Sequence, residues 1–152
     1  MDVAAALWGG IAGAVALVAV YIGFYGLRLT RLDLVGFEGG LVTADRGPIR
    51  YVYGGVVHVV LAAVAALGYR WVFEQVDAST YVGWGALLGL AHGLLAALLL
   101  PVAARLNRRV RSGEIQSPGF AGLAYGRLTP LALVLAHVVF GTWVGLVLLP
   151  AP

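Results

Sequence analysis

Residues 85–93 read Gly85-Ala-Leu-Leu-Gly89-Leu-Ala-His92-Gly93, and they lie within an apolar run from Tyr81 to Ala104. Glycines that recur every fourth residue share one face of a helix and leave a groove along it. In a membrane such a groove lets a second helix approach closely, because lipid tails offer no hydrophobic gain for association. His92 lies at the edge of this groove. The stretch therefore predicts a transmembrane helix that packs tightly on a neighbour and carries an ionisable side chain at the contact.

The composition is that of a membrane protein. Of the 152 residues, 61% are hydrophobic and 11% are charged, whereas an ordinary soluble domain has about 25% charged residues. The length suits a single domain over residues 1–152. The chain has no Cys, which excludes disulfides, Cys-ligated zinc, iron–sulfur clusters and thiol catalysis. It also has no Lys, which excludes a Lys Schiff base.

Four apolar runs are long enough to cross a bilayer as helices, which takes about 20 residues. These runs are 4–27, 51–73, 81–104 and 128–149. Each run places small residues four apart on one face, where they allow close helix packing. The pairs and triplets are Gly9 with Gly13, Ala62 with Ala66, Gly85 with Gly89 and Gly93, and Gly141 with Gly145. The sequence thus predicts an all-α membrane protein built as a four-transmembrane-helix, up-down bundle.

The charges predict how this bundle is oriented. Segments 28–50 and 105–127 hold nine of the ten Arg residues, whereas the short segment 74–80 carries only acidic charges. The positive-inside rule then places loops 28–50 and 105–127 in the cytoplasm and both termini on the extracytoplasmic side. All four Trp residues fall near the ends assigned to the outer interface, as an aromatic belt would. The Lys-free, Ala- and Gly-rich composition suggests a prokaryote, so we expect a multi-pass protein of the inner (plasma) membrane.

The two long loops differ in character. Loop 28–50 mixes Leu, Val and Phe with charges, which predicts a short amphipathic helix in the membrane interface. Gly39-Gly40 and Gly47-Pro48 are expected to break that helix. The second loop carries Arg105, Arg108, Arg109 and Arg111. We interpret this Arg cluster as a topology anchor that contacts lipid headgroups. Nucleic acid is not an expected partner, because no aromatic residues are interleaved with the Arg residues.

Three histidines are the ionisable candidates for the bundle interior. His58 and His137 precede the small-residue faces of their spans, and His92 follows Gly89, so all three point towards packing faces. They lie about 12, 15 and 20 Å from the Arg residues that flank their spans, counted at the helical rise. Ionisable residues at membrane depth are functional-site candidates. In the competing interpretation they only form hydrogen bonds between helices of a non-enzymatic structural or transport protein.

Three chemistries fit an intramembrane three-histidine site. The first is haem b in an electron-transfer subunit, ligated by His58 and His137, with Arg50 or Arg127 near the propionates. The second is a zinc or copper ion held by His58, His92 and His137. The third is a relay for protons or small solutes. The absence of a carboxylate from all four spans counts against this third hypothesis. The expected partners are the lipid bilayer and either other membrane subunits or further copies of the chain.

Several of these motifs together resemble a known family. They are His58 followed by Gly68-Tyr69, the run Gly85-x3-Gly89-x2-His92-Gly93, and Leu135-Ala136-His137-Val138-Val139-Phe140-Gly141-x3-Gly145. With the Gly-rich first span, this pattern resembles the small four-helix YagU-like membrane proteins. The resemblance implies that the three histidines and the Ala/Gly faces belong to the fold. It implies no catalytic residue.

Overall fold

A computed structural model describes residues 2–149 of the chain. Residues 1 and 150–152 of the predicted domain lie outside the described residues. The helices are α1 (Val3–Gly26), α2 (Leu34–Val42), α3 (Ile49–Phe73), α4 (Tyr81–Leu106), α5 (Arg108–Arg111) and α6 (Thr129–Val147), with short 3-10 helices at Ala78–Thr80 and Phe120–Tyr125. The four helices α1, α3, α4 and α6 are long and apolar enough to cross a membrane. Residues 2–149 contain no strand, so the predicted all-α class is confirmed.

Neighbouring long helices run in opposite directions. In α1, Gly9 lies against Val147 of α6, and Gly13 lies one turn later against Phe140. Gly10 of α1 faces Ala66 and Ala62 of α3. Because the partner numbers fall as the α1 numbers rise, α1 and α6 are antiparallel, as an up-down bundle requires. One end of the bundle then carries all four Trp residues, and the other, which we call the Arg-rich end, carries segments 28–50 and 105–127.

The bundle is open along one side. Going round it, α3 packs on α1, α1 on α6, and α6 on α4, but α3 and α4 barely contact each other. Only the short segment 74–80 joins these two helices, at the Trp-rich end. A tight bundle closed on all four sides is therefore not what forms. The helix pair with the shortest connection encloses a gap.

The α4–α6 contact is the most extensive between two helices of residues 2–149, and backbone atoms make much of it. A Cβ atom built on Gly85 would fall on the carbonyl oxygen of Gly141, and one on Gly89 would fall on the carbonyl oxygen of His137. A Cβ on Gly93 would lie 2.8 Å from Cα of Val134. We call this contact the glycine seam. It confirms the prediction that residues 85–93 pack against a neighbouring helix.

The helix predicted in loop 28–50 exists, but it is not broken at Gly39-Gly40. Instead α2 runs without interruption from Leu34 to Val42, and its N-cap Asp33 accepts a hydrogen bond from the Gly36 N–H. A side chain on Gly39 would strike the carbonyl of Arg50, and one on Gly40 would lie 2.5 Å from Oδ1 of Asn107. The glycines are needed because the Arg50 carbonyl and the Asn107 side chain lie directly against α2, not because the chain turns there.

Two side chains beyond α4 hold α2 across the Arg-rich end. Asn107, which is completely buried, donates from Nδ2 to the Phe37 carbonyl at 2.7 Å. Arg109 is 8% exposed, and its Nη1 donates to the Gly36 carbonyl at 3.3 Å. The interpretation of the whole Arg cluster as a headgroup anchor is therefore wrong for Arg109. Its guanidinium donates instead to the backbone of α2.

Arg109 also forms an ion pair whose pH dependence can be measured. It donates to Oε1 of Glu114 from Nε at 2.9 Å and from Nη2 at 2.6 Å, and these bonds hold the pKa of Glu114 below its ordinary value. Because the folded-state pKa is lowered, the ionised carboxylate stabilises the fold above its unfolded-state pKa. That contribution is lost as the pH falls through the folded-state value. We expect Arg109→Gln to raise the pKa of Glu114, measured by a carboxyl NMR titration.

The control for this titration is Arg111→Gln. Arg111 is exposed and lies two residues away, so this variant removes the same formal charge without removing the ion pair. An equal rise in the pKa of Glu114 in both variants would contradict a specific role for Arg109.

Candidate functional site

A cavity of about 210 Å³ lies in the gap between α3 and α4. We call it the His cavity because all three histidines line it. Its floor is α2, which contributes Leu34, Phe37, Glu38 and Leu41. The remaining lining residues come from α1, α3, α4 and α6, and most of them are apolar. The gap between α3 and α4 therefore forms a mostly apolar pocket that only a few polar side chains line.

Aromatic rings close the cavity towards the Trp-rich end. Tyr69 packs edge-to-face on Phe140 with ring centroids 5.6 Å apart, and on Phe73 at 6.4 Å. Phe73 in turn stacks on Tyr81 of α4 at 4.9 Å. These rings join the ends of α3 and α4 where segment 74–80 connects them. The cavity is thus bounded at both ends of the bundle, by α2 and by this aromatic cluster, and its open side lies between α3 and α4.

His58 is paired with a carboxylate from α2. Its Nδ1 lies 3.0 Å from both carboxylate oxygens of Glu38, and the two side chains are 10% and 13% exposed. Its Nε2 is buried and forms no hydrogen bond of good geometry within residues 2–149, although the Ala14 backbone of α1 lies near the ring. His58 is therefore fixed in orientation between α2 and α1.

His92 and His137 meet across the glycine seam. Their ring centroids are 4.6 Å apart in an edge-to-face arrangement. Nδ1 of His137 lies 2.7 Å from the Leu133 carbonyl of its own helix, and Nδ1 of His92 lies 3.3 Å from the Tyr69 hydroxyl. Since both rings are held through Nδ1, Nε2 is the nitrogen that each has left for a further partner. The seam brings these histidines together because it leaves no side chains between the two backbones.

Glu38 is the residue of the candidate site that the sequence analysis missed. No span contains a carboxylate, which counted against a proton relay, but α2 carries Glu38 to His58 from outside the spans. The available signal was the pair Gly39-Gly40, because glycine inside a helix leaves room for a neighbouring segment to approach closely. We instead interpreted those glycines as helix breakers.

The two arginines predicted to face haem propionates lie elsewhere. Arg50 donates to the carbonyls of Arg46 and Gly47 and to the Tyr51 hydroxyl, and its guanidinium lies 4.3 Å from the Tyr51 ring centroid. Arg127 is exposed. Neither lines the His cavity, so neither carries a cation to it.

The three histidines do not form one close group in this structure, and the predicted zinc or copper site stays a prediction. His92 and His137 adjoin each other, whereas His58 is engaged by Glu38 on the opposite wall. Within residues 2–149 no group of three His, Cys, Asp or Glu side chains is close enough to hold a metal ion. The arrangement instead provides separated hydrogen-bonding groups around an apolar space.

No family model, curated protein or solved structure matches the chain. The resemblance to YagU-like proteins therefore stays a prediction, and the chemistry of the His cavity has to carry the functional argument.

Proposed function

We propose that this protein binds a small lipid-soluble molecule in the His cavity, which the ligand enters from the bilayer between α3 and α4. The observation that carries the proposal is the location of Glu38, His58, His92 and His137 around one apolar cavity at the open side of the bundle. Polar groups at membrane depth are costly and mark functional sites. An apolar pocket with a few convergent polar groups is the usual form of a small-molecule site.

The size of the cavity favours an elongated ligand. Pockets for drug-sized molecules measure about 300–1,000 Å³, and the His cavity, at about 210 Å³, is smaller. Leu61 of α3 and Leu99 of α4 line it and are 56% and 49% exposed, so the lining continues onto the lipid-facing surface. In our proposal the polar end of the ligand lies against the histidines, and an apolar tail extends between α3 and α4 into the bilayer.

Haem b is a second candidate, and one observation favours it. The Nδ1 atoms of both His58 and His137 are engaged, by a carboxylate and a backbone carbonyl respectively. Partners of this kind orient imidazoles that ligate metals through Nε2. Two observations argue against haem b: a porphyrin is larger than the cavity, and Nε2 of His58, the nitrogen that would ligate iron, is buried. Ligation would require α3 and α4 to move apart.

Ligand content of the purified protein tests the proposal. We expect an organic extract of the detergent-solubilised chain to contain about one lipid-soluble molecule per protein, identified by mass spectrometry. Ala96 lines the cavity from α4, so Ala96→Phe should fill it and lower the retained ligand about tenfold or more, because filled volume excludes the ligand. An absorption spectrum of the same sample identifies haem by its Soret band, which His137→Ala should abolish.

The matched control is Ala91→Phe, the same change on the same helix. Ala91 is exposed and does not line the cavity, so this variant should retain ligand at the wild-type level. Equal ligand loss in both variants, or an extract free of any ligand together with failure of every added probe to bind, would refute the proposed site.

The proposed setting is the inner membrane of a prokaryote, with the Arg-rich end in the cytoplasm. Its support is the Arg distribution, together with the four Trp side chains, which are 40–68% exposed at the opposite end. In this orientation α2 separates the cavity from the cytoplasm.

A further inference from the structure

The hydrogen-bonding groups of the His cavity indicate which ligand chemistry it recognises. His137 is the most clearly defined of them. The Leu133 carbonyl can only accept, so the proton of the neutral ring is on Nδ1, 2.7 Å away. Nε2 of His137 then carries a lone pair and is a hydrogen-bond acceptor. His137 lines the cavity, so a hydrogen-bond donor on the ligand can pair with this acceptor.

Glu38 supplies acceptors of the same kind. An ionised carboxylate has about four lone-pair positions on its two oxygens, and Nδ1 of His58 is the one hydrogen-bond donor that reaches them among residues 2–149. Glu38 also lines the cavity floor. Further acceptor capacity therefore faces the ligand from α2, opposite the wall formed by α6.

The charge and shape of the cavity lining restrict the class of ligand further. No Arg lines the cavity, and the chain has no Lys, so an anionic phosphate headgroup would meet the Glu38 carboxylate without a permanent cation beside it. Glu38 already lies against His58, so a cationic ligand would compete with that pair. Phe37 and Phe140 line the cavity, and Phe140 packs edge-to-face with His92 at 6.0 Å. A flat aromatic ring is complementary to such a wall.

We infer that the ligand is a neutral hydroxyaromatic molecule with an apolar tail, of the alkylphenol or hydroquinone class, whose hydroxyl donates to Nε2 of His137. The inference rests on the proposed function and names its ligand class. It concerns the binding of this ligand and includes no reaction. A ring that carries carbonyl oxygens in place of hydroxyls would face His137 acceptor to acceptor, and a buried acceptor left unpaired weakens binding.

A redox pair of probes with one ring and one tail tests this inference. Decyl-substituted hydroquinone and the corresponding quinone would be titrated anaerobically into the detergent-solubilised full chain by isothermal calorimetry. We expect the hydroquinone to bind about tenfold more tightly, the effect of one lost hydrogen bond to a buried partner. In His137→Leu this preference should shrink to about twofold or less, with the fold checked by circular dichroism.

Two further variants make the result specific. Thr142→Val removes a hydroxyl from α6 that bonds to the Val138 carbonyl of its own helix and does not line the cavity, so the preference should persist. Glu38→Gln replaces an acceptor with a group that can also donate, so it should also reduce the preference for the hydroquinone. This variant tests the inference if His137→Leu fails to fold. A preference retained in both cavity variants overturns the inference.

Other outcomes separate the inference from the proposed function. Tighter binding of the quinone, of decylamine or of phosphatidylglycerol would overturn the hydroxyaromatic class and leave the cavity as a binding site. The same holds if the organic extract contains a lipid without a hydroxyaromatic ring. Failure of all probes, with an extract that contains no ligand, refutes both.

Discussion

Gly85→Ala lowers the free energy of unfolding by about 3 kcal/mol, the cost of overpacking a contact that cannot yield. The added Cβ would fall on the carbonyl oxygen of Gly141 in α6, which is backbone and not a flexible side chain. The helices α4 and α6 would have to separate, and His92 and His137 would separate with them. The measurement is reversible unfolding in mixed micelles with increasing sodium dodecyl sulfate, followed by circular dichroism.

Gly83→Ala is the control two residues away on the same helix. No atom lies within 4 Å of a Cβ at Gly83, so the substitution should be neutral or slightly stabilising, because Ala favours helix over Gly by about 0.5–1 kcal/mol. If Gly85→Ala were as stable as Gly83→Ala, the glycine seam would not be a close backbone contact.

Asn107→Ala should lower the free energy of unfolding by about 2–3 kcal/mol. The amide donates to the Phe37 carbonyl, and its Oδ1 accepts from the backbone N–H groups of Arg109 and Val110 at 3.0 and 3.2 Å. Removing it leaves the first N–H groups of α5 without their cap and removes the side-chain contact that holds α2. We also expect less retained ligand, because α2 carries Glu38 and is no longer fixed over the cavity.

Ser112→Ala serves as the comparison for Asn107→Ala. Its hydroxyl makes one hydrogen bond, to the Arg109 carbonyl at 3.1 Å, and the residue is exposed, so its loss should change stability by less than about 1 kcal/mol. Unfolding midpoints and ligand content would be measured on the same samples. Wild-type ligand content in a destabilised Asn107→Ala protein would show that α2 is not needed to hold the ligand.

The glycine seam could be predicted because it depends on local spacing. Glycines at 85, 89 and 93 define one helix face whatever the partner, and Gly141 and Gly145 define a second face of the same kind. Once these faces meet, His92 and His137 must be close, since each lies beside its own glycines. The inward orientation of His58 followed in the same way from Ala62 and Ala66, and both alanines are buried.

The Glu38–His58 pair and the open side could not be predicted in this way. Both depend on which helices become neighbours, and hydropathy does not encode that choice. Loop 28–50 was predicted to lie in the membrane interface because it mixes apolar and charged residues. In the structure two of those charged residues have other roles, since Asp33 caps α2 and Glu38 lines the cavity. The short segment 74–80 does not make α3 and α4 pack along their length, because a short connection constrains only the helix ends that it joins.

The gap between α3 and α4 also has a consequence for how the protein is made. A chain synthesised from its N-terminus can pair α3 with α1 as soon as α3 has entered the membrane. Helix α4 instead remains in lipid with its glycine groove uncovered until α6 follows, because α6 is its principal partner. During that interval the groove could be covered by another nascent chain. Segment 107–128 tethers α6 beside the groove, and the high local concentration that it imposes favours pairing within one molecule over pairing between two.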